Sequence, residues 1–280
     1  MSGFVMTAVL FAALLHASWN AIVKSGSDSF LDTLLVGCGA ALVAAATLPF
    51  LPPPAIESWP YLAASVILEL AYYFLVAAAY RTGDLSYVYP IMRGSAPLLT
   101  ALIAGFFVAE HLTRGGWAGV VLISAGILLL AASQWRLRRL HASSTLFALG
   151  NAVVISTYTL IDGLGARLSG DSFSYVGWLT ALAGVTLAAF LFLRHREAVT
   201  RRLRMRWRIC LVGGLCTWAS YAIALWAMTR APVALVAALR ETSVIFGTVL
   251  AAVVLKEKFG GARYAAAFLV CAGAVLLKSI

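Results

Sequence analysis

Long apolar stretches make up most of this chain, and polar residues collect in the short segments between them. A helix needs roughly 20 residues to cross about 30 Å of hydrocarbon, so the pattern predicts ten membrane-spanning helices. The remaining links are too short to hold a separate soluble domain, and we predict an all-α integral membrane protein. The predicted spans are residues 3–23, 30–51, 57–80, 85–108, 115–134, 143–166, 172–193, 208–229, 232–255 and 261–279.

The composition agrees with this pattern. Hydrophobic residues make up 62% of the 280 positions, charged residues only 11%, and the mean hydropathy is +0.93, values that are foreign to soluble domains. The formal charge of +10 could suggest nucleic acid, but most Lys and Arg lie in links, where membrane topology explains them. We therefore expect the lipid bilayer, and no nucleic acid, as a partner.

Positive charge is distributed unequally between the two sets of links. Most of the 21 Lys and Arg lie in links 1–2, 3–4, 5–6, 7–8 and 9–10, and the longest link, Arg194 to Arg208, holds seven arginines. We expect that link to be a solvated surface loop. Because positive loops stay in the cytoplasm, both termini are predicted outside the cytoplasm of a bacterial inner (plasma) membrane.

An internal repeat divides the chain into two halves, residues 1–135 and 142–280. Because each half has an odd number of spans, we predict two inverted five-helix repeats, an arrangement that suits alternating access to a central site. A duplicated scaffold without transport remains an alternative. Three pairs share one separation of 147 positions: Arg93 with Arg240, Glu110 with Glu257, and Gly126 with Gly273.

Three stretches of the sequence resemble the EamA-type permeases of the drug/metabolite transporter superfamily. They are FAALLHASWNAIVK at 11–24, the segment 79–113, and its second-half counterpart at 228–259. Members of that family have ten helices in two repeats, and a glutamate typically ends the fourth and ninth helices, as Glu110 and Glu257 do here. The resemblance implies a transporter, similar to exporters of amino acids, aromatic ones among them.

Two arginines lie within predicted spans, where a charge costs about 2.5–3.5 kcal/mol on insertion scales. Arg93 and Arg240 are equally deep in the fourth and ninth spans, and we expect them toward opposite membrane faces. Each could bind a substrate carboxylate in bidentate fashion. Alternatively, each ties helices together through carbonyls or a partner such as Glu69 or Glu241.

Two prolines lie on either side of Arg93 in the fourth span. Pro90 and Pro97 each remove a backbone hydrogen bond, so we expect them to loosen the helix around the arginine and to free carbonyls for it or for a substrate.

Glu69 lies near the middle of the third span. At helical spacing it shares a side of the helix with aromatic residues, which is typical of a cavity wall. Its carboxylate could bind a substrate ammonium or take up a proton as the coupling ion. The aromatic residues on this wall are Tyr72, Tyr73 and Tyr80.

Further polar and aromatic stripes occur on three other spans, and together they favour a largely apolar pocket with a few polar groups. Each residue alone fits helix packing or the membrane interface equally well. The candidates are His16, Trp19 and Asn20 on the first span, Tyr158 on the sixth, where Asp162 lies on the same stripe, and Trp218 and Tyr221 on the eighth.

No catalytic motif of the GxSxG, HExxH or phosphate-loop type is present, so we expect no enzyme, no metal site and no cofactor. The pattern favours a monomeric exporter of small metabolites that works by alternating access. Amino acids are the first expectation, with aromatic or bulky apolar ones preferred. Two alternatives stay open: a lipid or drug-like amphiphile transporter or flippase, and a non-transporting scaffold or sensor.

Overall fold

The structure, a computed structural model, describes residues 1–24, 26, 28–135, 142–255 and 260–278. Within these residues all regular structure is helical, with short 3₁₀ turns at Leu48–Phe50 and Ile56–Ser58 and a π turn at Ala104–Val108. The α-helices are α1 Gly3–Lys24, α2 Ser29–Thr47, α3 Trp59–Thr82, α4 Leu85–Ile103, α5 Arg114–Trp135, α6 Ala142–Leu168, α7 Ser172–Met228, α8 Val233–Arg240, α9 Ser243–Leu255 and α10 Gly261–Lys278.

Ten segments of the described chain are long and apolar enough to cross a membrane, which confirms the predicted architecture. We number them spans 1 to 10. Helix α7 carries span 7, Ser172–Phe190, and span 8, Val199–Met228, while α8 and most of α9 form span 9, Val233–Leu250. The membrane face that contains the start of α1 and the end of α10 is called the terminal face, and the opposite one the basic face.

Aspartates fix the starts of three helices. The side chains of Asp28, Asp84 and Asp171 accept backbone N–H bonds at the starts of α2, α4 and α7, from Leu31, Ser86 and Phe173 at 3.0, 2.9 and 2.8 Å. A carboxylate here satisfies N–H groups that have no partner within the helix and faces the positive end of the helix dipole.

The chain reverses direction within α7. Span 7 follows α2 from its end toward its start, because Gly184 lies against Ala41 and Leu187 against Gly37. Span 8 then follows α2 in the opposite sense, from the ion pair of Arg202 with Asp32 to the close approach of Gly214 to Gly39. The two spans are therefore antiparallel.

The prediction that Arg194 to Arg208 is a solvated loop is wrong. The backbone there is helical, and span 8 begins at Val199. Arg202 donates from Nε and Nη2 to the two carboxylate oxygens of Asp32, at 2.8 and 2.9 Å, and Arg206 also binds that carboxylate. Asp32 is fully buried, so its charge must be compensated by nearby cations. The helix at the start of span 8 carries both arginines to this carboxylate.

Packing between the halves follows their inverted relationship. Span 1 packs against spans 8 and 9, and span 6 packs against spans 3 and 4; span 2 packs against span 7, and span 5 against span 10. Exchanging the halves converts the pairs of span 1 into those of span 6 and leaves the pairs 2–7 and 5–10 unchanged. The central helices are therefore spans 1, 3, 4, 6, 8 and 9.

The two membrane faces differ in how their cores are joined. The largest buried apolar cluster takes residues from every span except the second, and nearly all of them lie in the half of the bundle nearest the terminal face. Toward the basic face, the described buried residues fall into two clusters, one between spans 3 to 6 and one between spans 2 and 8. The bundle is thus closed at the terminal face.

Spans 5 and 10 are in direct backbone contact at a glycine. A Cβ added at Gly273 would lie 2.7 Å from the carbonyl oxygen of Gly119, whereas a Cβ at Gly150 meets nothing within 4 Å. We predict that Gly273→Ala lowers the free energy of unfolding in detergent by about 1–3 kcal/mol through overpacking. Gly150→Ala should leave it unchanged or slightly raised; equal melting temperatures for the two variants would contradict this contact.

Candidate functional site

A buried ion pair joins the two halves in the middle of the membrane. Arg93 of α4 donates from Nε to Oε2 of Glu241 at 3.0 Å, and its Nη2 lies 2.8 Å from Oε1. The side chains are only 13% and 6% exposed. This bidentate geometry is the strongest form of a guanidinium–carboxylate contact. Through it Arg93 joins α4 to Glu241, one of the two partners that the sequence had left open.

Glu241 lies at a break in span 9. Helix α8 ends at Arg240 and α9 starts at Ser243; between them the N–H groups of Glu241 and Thr242 bond three residues back, to Ala238 and Leu239, at 3.1 and 3.0 Å. Broken spans at mid-membrane frequently form substrate and ion sites in transporters.

The two prolines do not interrupt the fourth span. Despite Pro90 and Pro97, α4 is one continuous helix from Leu85 to Ile103. The break occurs instead in the other half, in a stretch that has no proline, where the Glu241 side chain turns to Arg93. The ion pair, rather than a local backbone breaker, coincides with the interruption.

Arg240 stacks on an aromatic ring that leads to a second carboxylate. Its Cζ lies 5.0 Å from the ring centroid of Tyr221, a cation–π distance. The Tyr221 hydroxyl donates to Asp162, and the Tyr175 hydroxyl donates to the other carboxylate oxygen at 3.1 Å. Asp162 is fully buried, so these two hydroxyls replace its solvation.

The expectation that the two arginines lie toward opposite faces is wrong. Arg93 binds the residue that follows Arg240, and the side chains of His16 and Tyr158 lie within electrostatic range of both guanidinium groups. Both arginines therefore belong to one cluster, because the ion pair of Arg93 with Glu241 brings span 4 to the break in span 9 beside Arg240.

Glu69 is a carboxylate without a direct partner. Its side chain is partly exposed, it forms no hydrogen bond or ion pair in the described part of the chain, and it lies close enough to Asp162 for the two carboxylates to interact. One turn earlier on α3, the buried hydroxyl of Ser65 lies beside Asp162. A carboxylate without a direct partner inside the membrane is a candidate for binding a ligand or a proton.

The tyrosines of α3 and α6 form an aromatic wall beside these charges. Tyr72 meets Tyr158 edge to face at 6.3 Å between centroids and Tyr73 at 5.4 Å. Tyr73 and Tyr80 are the more exposed members and lie at the border of the wall rather than at its centre.

The first span contributes a compact group. The indole N–H of Trp19 donates to Nδ1 of His16 at 3.4 Å, and the Asn20 amide donates to the backbone carbonyl of His16 at 2.8 Å. The side-chain amide of Asn20 is therefore already hydrogen-bonded within its own helix. On span 8, the buried indole N–H of Trp218 finds no acceptor among the described residues.

Two residues of the cluster, Tyr89 and Tyr175, were not singled out in the sequence. Asp162 was recognised there as part of the stripe on the sixth span, and it is an ionisable residue inside a span. Tyr89, which lies near Arg93 and Glu241, and Tyr175 are single tyrosines in apolar surroundings, and their roles depend on the neighbouring helices.

A further ion pair joins the halves at the terminal face. Glu110, after span 4, lies 2.6 Å from Nη1 of Arg167 at the end of α6 and accepts the N–H of Val233, the first residue of α8, at 2.8 Å. Arg167 also donates to the carbonyls of Met228 and Ala231 at 2.8 and 3.1 Å. We call this network the terminal latch. Glu257, the repeat counterpart of Glu110, lies outside the described residues.

A ten-span bundle of two inverted halves around a mid-membrane charged cluster is the architecture of a secondary membrane transporter. The chain belongs to the EamA-like transporter family, which it matches over residues 3–132 and 142–279. This confirms the resemblance seen in the sequence and makes membrane transport the function of the chain's family.

Two relatives illustrate the relationship. An uncharacterized transporter in the cobO 3' region of Sinorhizobium sp. is 30% identical over 134 residues, which cover 43% of this chain and 94% of that one. A protein known from its crystal structure matches 98% of this chain and 94% of its own with a TM-score of 0.72 and 18% identity. The latter shows a shared fold.

The ion pair of Arg93 with Glu241 should be strongly coupled. We predict that Arg93→Gln or Glu241→Gln alone lowers the unfolding free energy by about 3–5 kcal/mol, because a buried charge loses its partner. The double variant should lose less than the sum of the two, as measured in a double-mutant cycle of detergent unfolding. A control cycle with the exposed Glu57→Gln and Arg230→Gln should be additive; additivity in both cycles would contradict the pairing.

Proposed function

We propose that the protein is an alternating-access exporter of amino acids, with aromatic or bulky apolar ones preferred. The observation that carries the proposal is the mid-membrane cluster, in which charges of both signs lie beside an aromatic wall. A zwitterion with an apolar side chain needs a cation, an anion and an apolar surface, and the cluster offers all three within the bundle.

The charges of the cluster suggest which residue binds each charged group of a zwitterion. Arg93 forms the direct ion pair with Glu241, whereas Arg240 faces the ring of Tyr221 and, among the described residues, has Asp162 and Glu241 as more distant carboxylates. Arg240 is thus the first site for a substrate carboxylate. Glu69, which lacks a direct partner, is the site for the ammonium or for a coupling proton.

The aromatic wall supports the side-chain preference. Tyr72 and Tyr158 present ring edges and faces next to Glu69 and Arg240, and such surfaces stack on aromatic side chains with centroids 4.5–7 Å apart. His16 and Trp218 lie on helices that border the same cluster and complete the proposed pocket.

We also propose that the conformation seen here is open toward the basic face. At the terminal face a single apolar cluster joins nine of the ten spans, whereas toward the basic face the described residues form two separate clusters. The terminal latch lies at the same face as the single cluster. If the basic links are cytoplasmic, as the distribution of Lys and Arg favours, this is the state in which an exporter receives its substrate from the cell.

Transport in proteoliposomes tests the substrate site. We expect saturable counterflow of a radiolabelled aromatic amino acid, and Arg240→Gln should raise its half-saturating concentration roughly tenfold or more, since a hydrogen bond to a charged group contributes about 1.5–3 kcal/mol. Arg230→Gln, whose guanidinium stacks on Trp226 at 4.8 Å near the terminal face, is the matched control. A pH gradient shows whether protons couple to flux.

Three results would count against this function. Unchanged counterflow in Arg240→Gln and Glu69→Gln would remove the proposed site. Flux of lipid-like or drug-like amphiphiles without amino-acid flux would favour the amphiphile alternative. Absence of any substrate-dependent flux in correctly inserted protein would favour a scaffold or sensor.

The terminal latch must open if the halves exchange conformations. We predict that Glu110→Gln weakens it, because the charged contact with Arg167 is lost, and favours the state that is open to the terminal face. In protein without its four native cysteines, a cysteine at the buried Ala101 should then react faster with a membrane-impermeant maleimide added at that face. Glu57 is an exposed carboxylate on the same face, and Glu57→Gln should have no effect. Equal labelling rates in all three proteins would show that the latch does not control opening at this face.

A further inference from the structure

We propose that the basic end of span 8 is a binding site for the headgroup of an anionic phospholipid. Span 8 is unusually long: Val199–Met228 has 30 residues. At about 1.5 Å per residue it exceeds a 30 Å hydrocarbon core by roughly 15 Å. The residues around Ala222–Met228 belong to the core at the terminal face, so the excess length lies at the basic face, at the level of the lipid headgroups.

The arginines of this extension divide between two sides of the helix. Arg202 and Arg206 turn inward to the buried Asp32. Another side of the helix carries three arginines at spacings of three and four positions. They are Arg201, Arg204 and Arg208, and all three are exposed. Arg201 and Arg204 form no ion pair within the described part of the chain, so their charges are available to an external anion.

The same side of the helix becomes apolar toward the membrane interior. Leu211, Val212 and Leu215 continue the stripe and are all exposed, at 42%, 53% and 52%. A side that is cationic for two turns and then apolar matches a molecule with an anionic head and hydrocarbon tails. It fits neither a free phosphate, which needs no apolar stripe, nor a soluble acidic protein.

The arginines border an open surface that a headgroup can reach. It is lined by Glu197, Thr200, Arg201, Arg204 and Met205. Glu197 lies one turn before Arg201 and lowers the local positive charge, so the site favours a headgroup with one phosphate and hydroxyl groups that Glu197 can accept from, as in phosphatidylglycerol.

Trp207 and Arg208 mark the depth of the site. The Arg208 guanidinium lies 5.5 Å from the centroid of the Trp207 ring, and Trp207 is exposed. Tryptophan concentrates at the membrane–water interface, which places Arg204, one turn earlier, among the phosphates.

Native mass spectrometry of the full-length protein, released from nanodiscs with equal amounts of phosphatidylglycerol and phosphatidylcholine of the same chain length, tests the proposal. We expect wild-type protein to retain phosphatidylglycerol preferentially and Arg201→Gln/Arg204→Gln to lose roughly tenfold of that preference. Arg114→Gln/Arg230→Gln, which removes two exposed arginines from the terminal face, should retain it.

Several outcomes would overturn the site. Equal retention of the two lipids by wild-type protein does so without any variant, even if the double variant fails to fold. Equal losses of the phosphatidylglycerol preference in both double variants would show that the preference depends on the overall charge of the protein and not on this site. Displacement of the lipid by soluble glycerol phosphate at equal concentration would indicate an anion site without a lipid component.

Discussion

Compensation of charge inside the membrane organises the centre of this protein. A guanidinium or carboxylate in hydrocarbon is tolerated only when a partner replaces its hydration, and Arg93 and Glu241 provide this for each other across the two halves. Their contact draws α4 toward the break between α8 and α9. Arg240 is thereby held over Tyr221 and near Asp162, so the position of one ion pair determines the surroundings of the others.

The inverted halves explain why the protein can be closed at one face while keeping charges accessible at its centre. Each central helix of one half packs against two of the other, and the terminal latch adds Glu110 and Arg167 where the apolar core is continuous. Exchange of the two halves' conformations would transfer this closure to the other face without rebuilding either half. The mid-membrane ion pair, close to the centre of this exchange, can persist in both states.

The candidate site was partly predictable. Ionisable residues in apolar spans are rare and costly, so Arg93, Arg240 and Glu69 stood out, and helical spacing related Tyr72 to Glu69. Of the two hydroxyls that bind Asp162, that of Tyr221 was a candidate, but that of Tyr175 did not stand out, because a tyrosine in a span is equally suited to the core or to the interface. The pairing of Arg93 was also open, since its possible partners lay on several helices.

The sequence by itself determined the ten spans, the all-α class, the two related halves and the family. Each of these depends on local apolar length or on residues at a regular separation, and a bilayer admits few other solutions. Only the tertiary structure decided which charges meet, where span 9 breaks without a proline, how the chain from Arg194 to Arg208 continues as helix, and which face is closed. These features depend on the rotation and depth of helices relative to one another, which pairings between distant residues such as Arg202 and Asp32 determine.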